Sequence, residues 1–159
     1  MPLTAARPWL SVVLLALLVF LPSSASAGMT AWEVKAFEGY KVKAEQGNAP
    51  AQYNLGDCYA NGEGVAKDQV QAVSWWRKAA EKGHAKAQSY LGVCYEFGLG
   101  VARDQIEAYA FYSLAGITDE DARNNLDILE EKMSPGQIAA GQKRSKELQK
   151  ELATKKAKK

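Results

Sequence analysis

The chain has 159 residues, of which 47% are hydrophobic and 24% charged, and a formal net charge of +2. This composition fits one globular domain and excludes wholesale disorder, which needs low hydrophobicity and high net charge. The charge is unevenly spread, because residues 29–140 hold 11 basic and 16 acidic residues whereas residues 141–159 hold 8 basic and 2 acidic ones. With one histidine and two cysteines, we expect no metal site, cofactor site or histidine-dependent catalysis.

Residues 1–27 have the pattern of a secretory signal peptide. Arg7 precedes an apolar run over residues 9–21, and the small residues Ala25 and Ala27 fit a cleavage site. The run is shorter than the roughly 20 apolar residues needed to cross a bilayer, so an uncleaved signal anchor is the less favoured alternative. We expect cleavage after Ala27, no transmembrane span after cleavage, and a periplasmic or secreted protein.

A shift of 36 residues aligns residues 47–82 with residues 83–118. The identical pairs include Gly47/Gly83, Ala51/Ala87, Gln52/Gln88, Leu55/Leu91, Gly56/Gly92, Cys58/Cys94, Tyr59/Tyr95, Gly62/Gly98, Gly64/Gly100, Val65/Val101, Asp68/Asp104, Ala72/Ala108 and Ala79/Ala115. A fixed period of this length predicts stacked structural units, because one such unit cannot bury its apolar face alone.

Each repeat is predicted to form two helices. In the first helix of repeat one, Ala51, Leu55, Cys58 and Tyr59 recur at helical spacing and form one apolar face. Gly56 lies beside that face, although glycine inside a helix costs about 1 kcal/mol relative to alanine. Because the same glycine recurs in repeat two, we expect it to let the second helix approach closely.

Turn and capping residues separate the two helices of a repeat. Gly62 and Gly64 end the first helix, since glycine readily adopts the left-handed conformation found at helix C-termini. Asp68 and Asp104 have the position of N-cap residues at the start of the second helix. Alanines in the second helix allow close stacking, and its tryptophans supply buried area.

These motifs resemble the Sel-one-like repeat (SLR) family, a relative of the tetratricopeptide repeat with a longer, glycine-bearing turn. The first copy matches the family at Ala51, Leu55, Gly56, Tyr59, Gly62, Gly64, Val65, Asp68, Ala72, Trp75, Ala79 and Ala80. The second copy matches over residues 87–115 but has Phe111 in place of the tryptophan and Gly116 in place of the last alanine. The resemblance implies an all-α fold, an α/α right-handed superhelix, and a protein that binds other proteins.

Further helices are predicted on both sides of the two repeats. Residues 31–46 align with the second helix of a repeat, and residues 119–133 form another half-repeat. Ser134, followed by proline, begins a C-terminal capping helix. The predicted organisation is a short solenoid of about seven helices, with the repeat region over residues 28–133 and a capping helix and basic tail over residues 134–159.

Cysteine, histidine and lysine residues are assigned structural roles. Cys58 and Cys94 occupy equivalent positions in adjacent repeats, where helix axes about 8–10 Å apart favour two buried thiols over a disulfide. The disulfide is the alternative, because export would allow it. His84 is expected to be a solvated turn residue. Residues 143–159 are expected to be frayed and solvated, with weak contact to an anionic surface as the alternative and no nucleic-acid partner.

Variable positions of the first helices are the candidate partner-binding residues, because these helices line the concave side of such a stack. They are Asn54, Asp57 and Asn61 in repeat one and Tyr90, Val93 and Phe97 in repeat two. The groove would change from polar to apolar along its length, which suits a protein or peptide partner with one hydrophobic anchor. Alternatively, the C-terminal helices of the same chain cover the apolar stripe.

The sequence therefore favours an exported adaptor or regulator that presents a concave helical-repeat groove to a protein or peptide. A periplasmic inhibitor or immunity-type protein that occludes a cell-wall enzyme or toxin is one alternative. A β-lactamase-like hydrolase is another, since that activity is ascribed to cysteine-rich members of the family. Those members pair their cysteines within each repeat, whereas this chain has one cysteine per repeat. We assign no catalytic residues.

Overall fold

The computed structural model describes residues 29–157, and this part of the chain consists of helices joined by short turns. The helices are α1 (Ala31–Glu45), α2 (Ala49–Asn61), α3 (Gln69–Ala80), α4 (Ala85–Phe97), α5 (Gln105–Ala115), α6 (Glu120–Glu130) and α7 (Pro135–Ala157). Over residues 29–157, the predicted all-α architecture of about seven helices is confirmed. The expected signal peptide at residues 1–27 lies outside the described residues.

Capping bonds confirm the predicted starts of α3, α5 and α7 and the predicted end of α2. The Asp68 side chain accepts a hydrogen bond from the third backbone N–H of α3, and Asp104 does the same at α5. At α7 the Ser134 hydroxyl accepts from the Gln137 backbone, while the Gln137 side chain accepts from the Ser134 N–H at 2.9 Å. The φ of Gly62 is +82°, which ends α2 in the left-handed conformation. These local bonds fix where each helix starts and stops.

The two helices of each repeat pack through a glycine of the first helix and an aromatic ring of the second. The Trp76 ring lies on Gly56, and the Tyr112 ring lies on Gly92. A β-carbon at either glycine would be 2.5 Å from the nearest ring atom. The expectation that these glycines allow close helix approach is therefore confirmed.

The glycine-bearing turns connect each repeat to the helix before it. Gly64 lies against the Glu33 carbonyl at the start of α1, and Gly100 lies against the Gln69 carbonyl at the start of α3. Both glycines have a φ near +70°, and a β-carbon at either would collide with those carbonyl oxygens. Glu33 and Gln69 are themselves 36 residues apart, so the turns repeat in register.

At the C-terminal end, α6 and α7 both pack on α5. Leu129 and Met133 are buried against α5. Helix α6 is shorter than the predicted half-repeat over residues 119–133, because it ends at Glu130 and Met133 lies in the turn that follows. Helix α7 runs in the same direction as α5, because Gly141 contacts Tyr109 and Ser145 bonds to Ser113 one turn further on. It is therefore a helix folded along the second helices of the repeats.

The expectation of a frayed basic tail is wrong for residues 143–157, which belong to α7. Arg144 pairs with Glu107 at 2.5 Å and with Glu151 at 2.8 Å, and Lys155 pairs with Glu81 at the end of α3. Leu148 is buried in the core shared by α3, α4 and α5. The lysine-rich sequence is helical because its apolar and paired side chains lie on one face. None of the helices in residues 29–157 combines the length and apolar character that a bilayer crossing requires.

Candidate functional site

A groove of about 360 Å³ lies on the side of the molecule formed by the first helices. Its walls come from α2, α4 and α6, the last of which occupies the first-helix position after repeat two. We call it the first-helix groove, and its lining residues are Tyr53, Lys86, Ser89, Tyr90, Val93, Asp119, Asp121 and Asn125. The site therefore spans three successive units of the stack.

An aromatic cluster forms the α2 side of the first-helix groove. The Tyr53 ring stacks on His84 with ring centres 4.8 Å apart, and its edge contacts Tyr90 at 5.8 Å. Tyr90 also contacts the buried Trp76 ring at 5.1 Å. Tyr90 remains 43% exposed although two rings hold it in position. The α2 side of the groove thus presents an aromatic surface whose conformation is already fixed.

Asp57 lies beneath this aromatic cluster. Its carboxylate accepts a hydrogen bond from the Trp76 indole N–H at 3.1 Å. Burial raises the pKa of Asp57, and hydrogen bonds from Tyr53 and Trp76 act in the opposite direction. Burial and the neighbouring Asp57 raise the pKa of Tyr53, so this phenol stays protonated and remains a hydrogen-bond donor. Asp57 therefore holds the aromatic rings in place from below.

The predicted apolar stripe of α4 is divided between groove and rim. Tyr90 and Val93 line the first-helix groove, and Val93 is half-buried against the core around α5 and α6. Phe97 is 63% exposed at the end of α4. Helix α7 packs along α5 and does not cover these side chains. Within the described residues, the alternative of a stripe covered by the C-terminal helices is therefore wrong for Tyr90 and Phe97, whereas Val93 packs in part against α6.

The polar positions of α2 contribute less to the groove. Asn54 is half-buried and Asn61 is exposed, and the Asn61 amide donates to Glu63 at 3.2 Å. Neither residue lines the groove. Among the six predicted residues, the structure thus brings Tyr90 and Val93 together in the groove, and Asp57 is linked to Tyr90 through the Trp76 ring.

A family model described as Sel1 repeat matches the chain at residues 49–84 and 85–116. The chain contains two Sel1 repeats. The structure resembles c5321, described as a protective antigen present in uropathogenic Escherichia coli strains with an SLR fold, at 36% identity and a TM-score of 0.70. It also resembles a Sel1 repeat protein from Oxalobacter formigenes at 37% identity and a TM-score of 0.60. The matches cover 83% and 66% of this chain.

Both relatives are much longer, since this chain spans 27% of the first and 42% of the second. No curated protein sequence gave a match. Sel1 repeats commonly mediate protein–protein interactions, and their family consists generally of scaffolds without catalytic activity. The fold and the family therefore agree with the sequence resemblance.

The second Sel1 repeat holds its aromatic ring differently from the first. At the position of Asp57 it has Val93, and its ring hydroxyl, that of Tyr112, donates instead to Glu96 at 3.0 Å. Glu96 is only 8% exposed and also pairs with Lys132 at 3.4 Å. Burial, followed by the contact with Glu96, raises the pKa of Tyr112. Replacing the aspartate by valine is what makes this part of the groove apolar.

His84 is a capping residue between the two Sel1 repeats and not the solvated turn residue that the sequence suggested. Its Nδ1 accepts a hydrogen bond from the Ala87 N–H at 3.3 Å, and its half-buried ring stacks on Tyr53. Burial and the nearby Lys86 lower the pKa of His84, which favours the neutral ring that this bond requires. The first repeat uses Asn48 in the same way.

Cys58 and Cys94 are both buried and unpaired, and they lie in different core clusters. Burial raises the pKa of each thiol to about 11. At neutral pH both therefore remain protonated and poorly nucleophilic. Among residues 29–157, no group of three histidine, cysteine or acidic side chains could hold a metal ion.

Sequence reasoning did not identify several residues that line the groove. Tyr53 could have been found, because it precedes Asp57 by four residues and therefore shares its helix face. Lys86 precedes Tyr90 by the same interval. The contribution of Asp119, Asp121 and Asn125 had no such signal, since it depends on how closely α6 packs beside repeat two.

Proposed function

We propose that this protein is an exported adaptor or regulator whose first-helix groove binds a segment of another protein. The observation that carries the proposal is Tyr90, which is 43% exposed yet packed between Trp76 and Tyr53. Exposed aromatic side chains with fixed positions are typical centres of binding energy in protein interfaces. The protein-binding role common among Sel1 repeats supports this reading.

The fixed framework around Tyr90 favours binding because little conformational entropy is lost when a partner docks. Trp76, tethered to Asp57, supports the Tyr90 ring from below. A partner side chain that packs on Tyr90 and Val93 would bury apolar area in the middle of the groove. Lys86, Asp119 and Asp121 at the edges offer charged groups for orientation.

The proposed location outside the cytoplasm is based on the signal-peptide pattern of residues 1–27. It is tested by fractionating producing cells and determining the N-terminal sequence of the purified protein. A mature chain that begins at Gly28 in the periplasmic or secreted fraction is expected. Retention of the full chain in the cytoplasmic fraction would contradict export without bearing on the groove.

The groove is tested by capturing partners from an envelope extract and comparing two alanine variants. Tyr90→Ala removes the central groove side chain, whereas Val70→Ala removes an exposed apolar residue of α3 that does not line the groove. A partner bound by the wild type should be lost with Tyr90→Ala and kept with Val70→Ala, while both variants melt cooperatively. Equal capture by all three proteins would contradict the proposal.

A further inference from the structure

Helix α1 exposes an apolar stripe on the side opposite its buried face. Phe37 and Ala44 pack on α2, whereas Trp32 is 69% exposed and Val42 is 54% exposed. Gly39 lies between these two residues on the same face, with Lys35 beside it, since residues 32, 35, 39 and 42 are spaced three or four apart. We call these four residues the α1 stripe.

Gly39 lies in the middle of its helix and differs from the three glycines that lie at helix–helix contacts, whereas Gly136, in the first turn of α7, also has nothing within 4 Å. Gly56, Gly92 and Gly141 each accept an aromatic ring from a neighbouring helix, with a β-carbon position about 2.5 Å from that ring. At Gly39, a β-carbon would meet nothing within 4 Å. Glycine inside a helix costs about 1 kcal/mol relative to alanine, and at Gly39 no contact within the described residues accounts for that cost.

We propose that the α1 stripe is a homodimer interface in which Trp32 of each copy packs on Gly39 of the other copy. Trp32 is itself an exposed ring on the same stripe, so the surface offers both the ring and the glycine that accepts it. Two antiparallel α1 helices related by a two-fold axis between residues 35 and 36 place position 32 of one copy opposite position 39 of the other. Both contacts then form at once, as an isologous interface requires.

The interface has the same elements that hold the repeats together. Within repeat one, Trp76 on α3 packs on Gly56 of α2, and the proposed contact joins the same two residue types between copies. Helix α1 is also the terminal helix of the described stack, where no further helix of residues 29–157 covers the α1 stripe. Two tryptophans bury only a few hundred Å² in total, so the dimer is weak and reversible.

Lys35 gives the proposed dimer a distinctive salt dependence. Near the two-fold axis, Lys35 of each copy lies close to Lys35 of the other, and the like charges repel. Added salt screens this repulsion and should therefore strengthen association. The substitution Lys35→Gln removes it and should strengthen association about twofold at low salt. Interfaces held together by opposite charges respond to salt in the opposite direction.

Two measurements test the proposal with the purified protein. Sedimentation equilibrium should show a monomer–dimer equilibrium that Trp32→Ala weakens about tenfold or more. Gly39→Leu should weaken it similarly because its side chain fills the position of the ring. Val70→Ala, which removes an exposed apolar residue outside the α1 stripe, should leave association unchanged.

Disulfide trapping tests the antiparallel arrangement of the two α1 helices. The substitution Lys35→Cys places a thiol at the two-fold axis, and mild oxidation should produce a covalent dimer that Trp32→Ala suppresses. Glu45→Cys at the far end of α1 is the matched control and should remain monomeric. The native thiols contribute little background because both are buried. A monomer at all concentrations, or equal trapping at positions 35 and 45, would overturn the proposal, whatever the outcome at the groove.

Discussion

The two Sel1 repeats share one framework but differ on the face that lines the groove. In both, a ring packs on a glycine, a glycine-bearing turn contacts the preceding helix, and a glutamine side chain bonds to the carbonyl of Ala44 or Ala80 in the previous repeat. The same position carries Asp57 in the first repeat and Val93 in the second, and the rings of Trp76 and Tyr112 have different hydrogen-bond partners. Stacking therefore constrains the framework, whereas the groove face is free to vary.

The largest expected effect concerns the turns shared by both repeats. Gly100→Ala should lower the free energy of unfolding by about 3 kcal/mol, because φ is +70° and the β-carbon would collide with the Gln69 carbonyl. Gly83→Ala is the matched control, with φ of +84° but nothing within 4 Å, and should cost about 1 kcal/mol. Chemical denaturation measures both, and equal losses would mean that the turn contact does not fix the register.

The next effect tests the hydrogen bond that holds the Tyr112 ring in the second repeat. Tyr112→Phe should lower the free energy of unfolding by about 2 kcal/mol, because the buried Glu96 carboxylate loses a hydrogen bond. Tyr109→Phe removes a similar bond to the less buried Glu130 and should cost about 1 kcal/mol. A double-mutant cycle of Tyr112→Phe with Glu96→Gln should show coupling, and additive losses would exclude the tether.

Much of the fold was predictable because its determinants are local or repeat exactly 36 residues apart. The caps at Asp68, Asp104 and Ser134 and the close approach at Gly56 all follow from residue types at fixed intervals. The docking of α7 was not predictable in this way. Leu148 and Arg144 stabilise it through contacts with distant helices, and no interval in the sequence encodes those contacts.

The groove was predictable only in part for a similar reason. Tyr90 and Val93 were identified from their positions in the repeat, and both line the groove. Asn61 was placed there by the same rule, but it lies beyond the groove because α2 ends at that residue. His84 was misassigned since its ring stacks on Tyr53 of the other repeat, a contact that depends on how the repeats are stacked.

Two glycine substitutions should change the free energy of unfolding in opposite directions. Gly56→Ala should lower the free energy of unfolding by about 1–3 kcal/mol, because the new methyl group would displace the Trp76 ring. Gly39→Ala should raise it by about 1 kcal/mol, since the methyl group meets nothing and alanine favours the helix. Thermal and chemical denaturation at low protein concentration, where any dimer dissociates, measure both. Destabilisation by Gly39→Ala would mean that an intramolecular contact uses this glycine.

The smallest effect compares the caps of the two repeats. Asn48 and His84 cap equivalent helices, but only the imidazole titrates near neutral pH. Because the pKa of His84 is lowered in the folded protein, its neutral form stabilises the fold fully above the ordinary value of about 6.5, and this contribution declines as the pH falls below that value. His84→Asn should remove this decline, which is worth about 0.5–1 kcal/mol. The measurement is the free energy of unfolding of both proteins between pH 8 and 5. The same change with pH in both would show instead that His84 stabilises α4 through ring stacking and not through its cap.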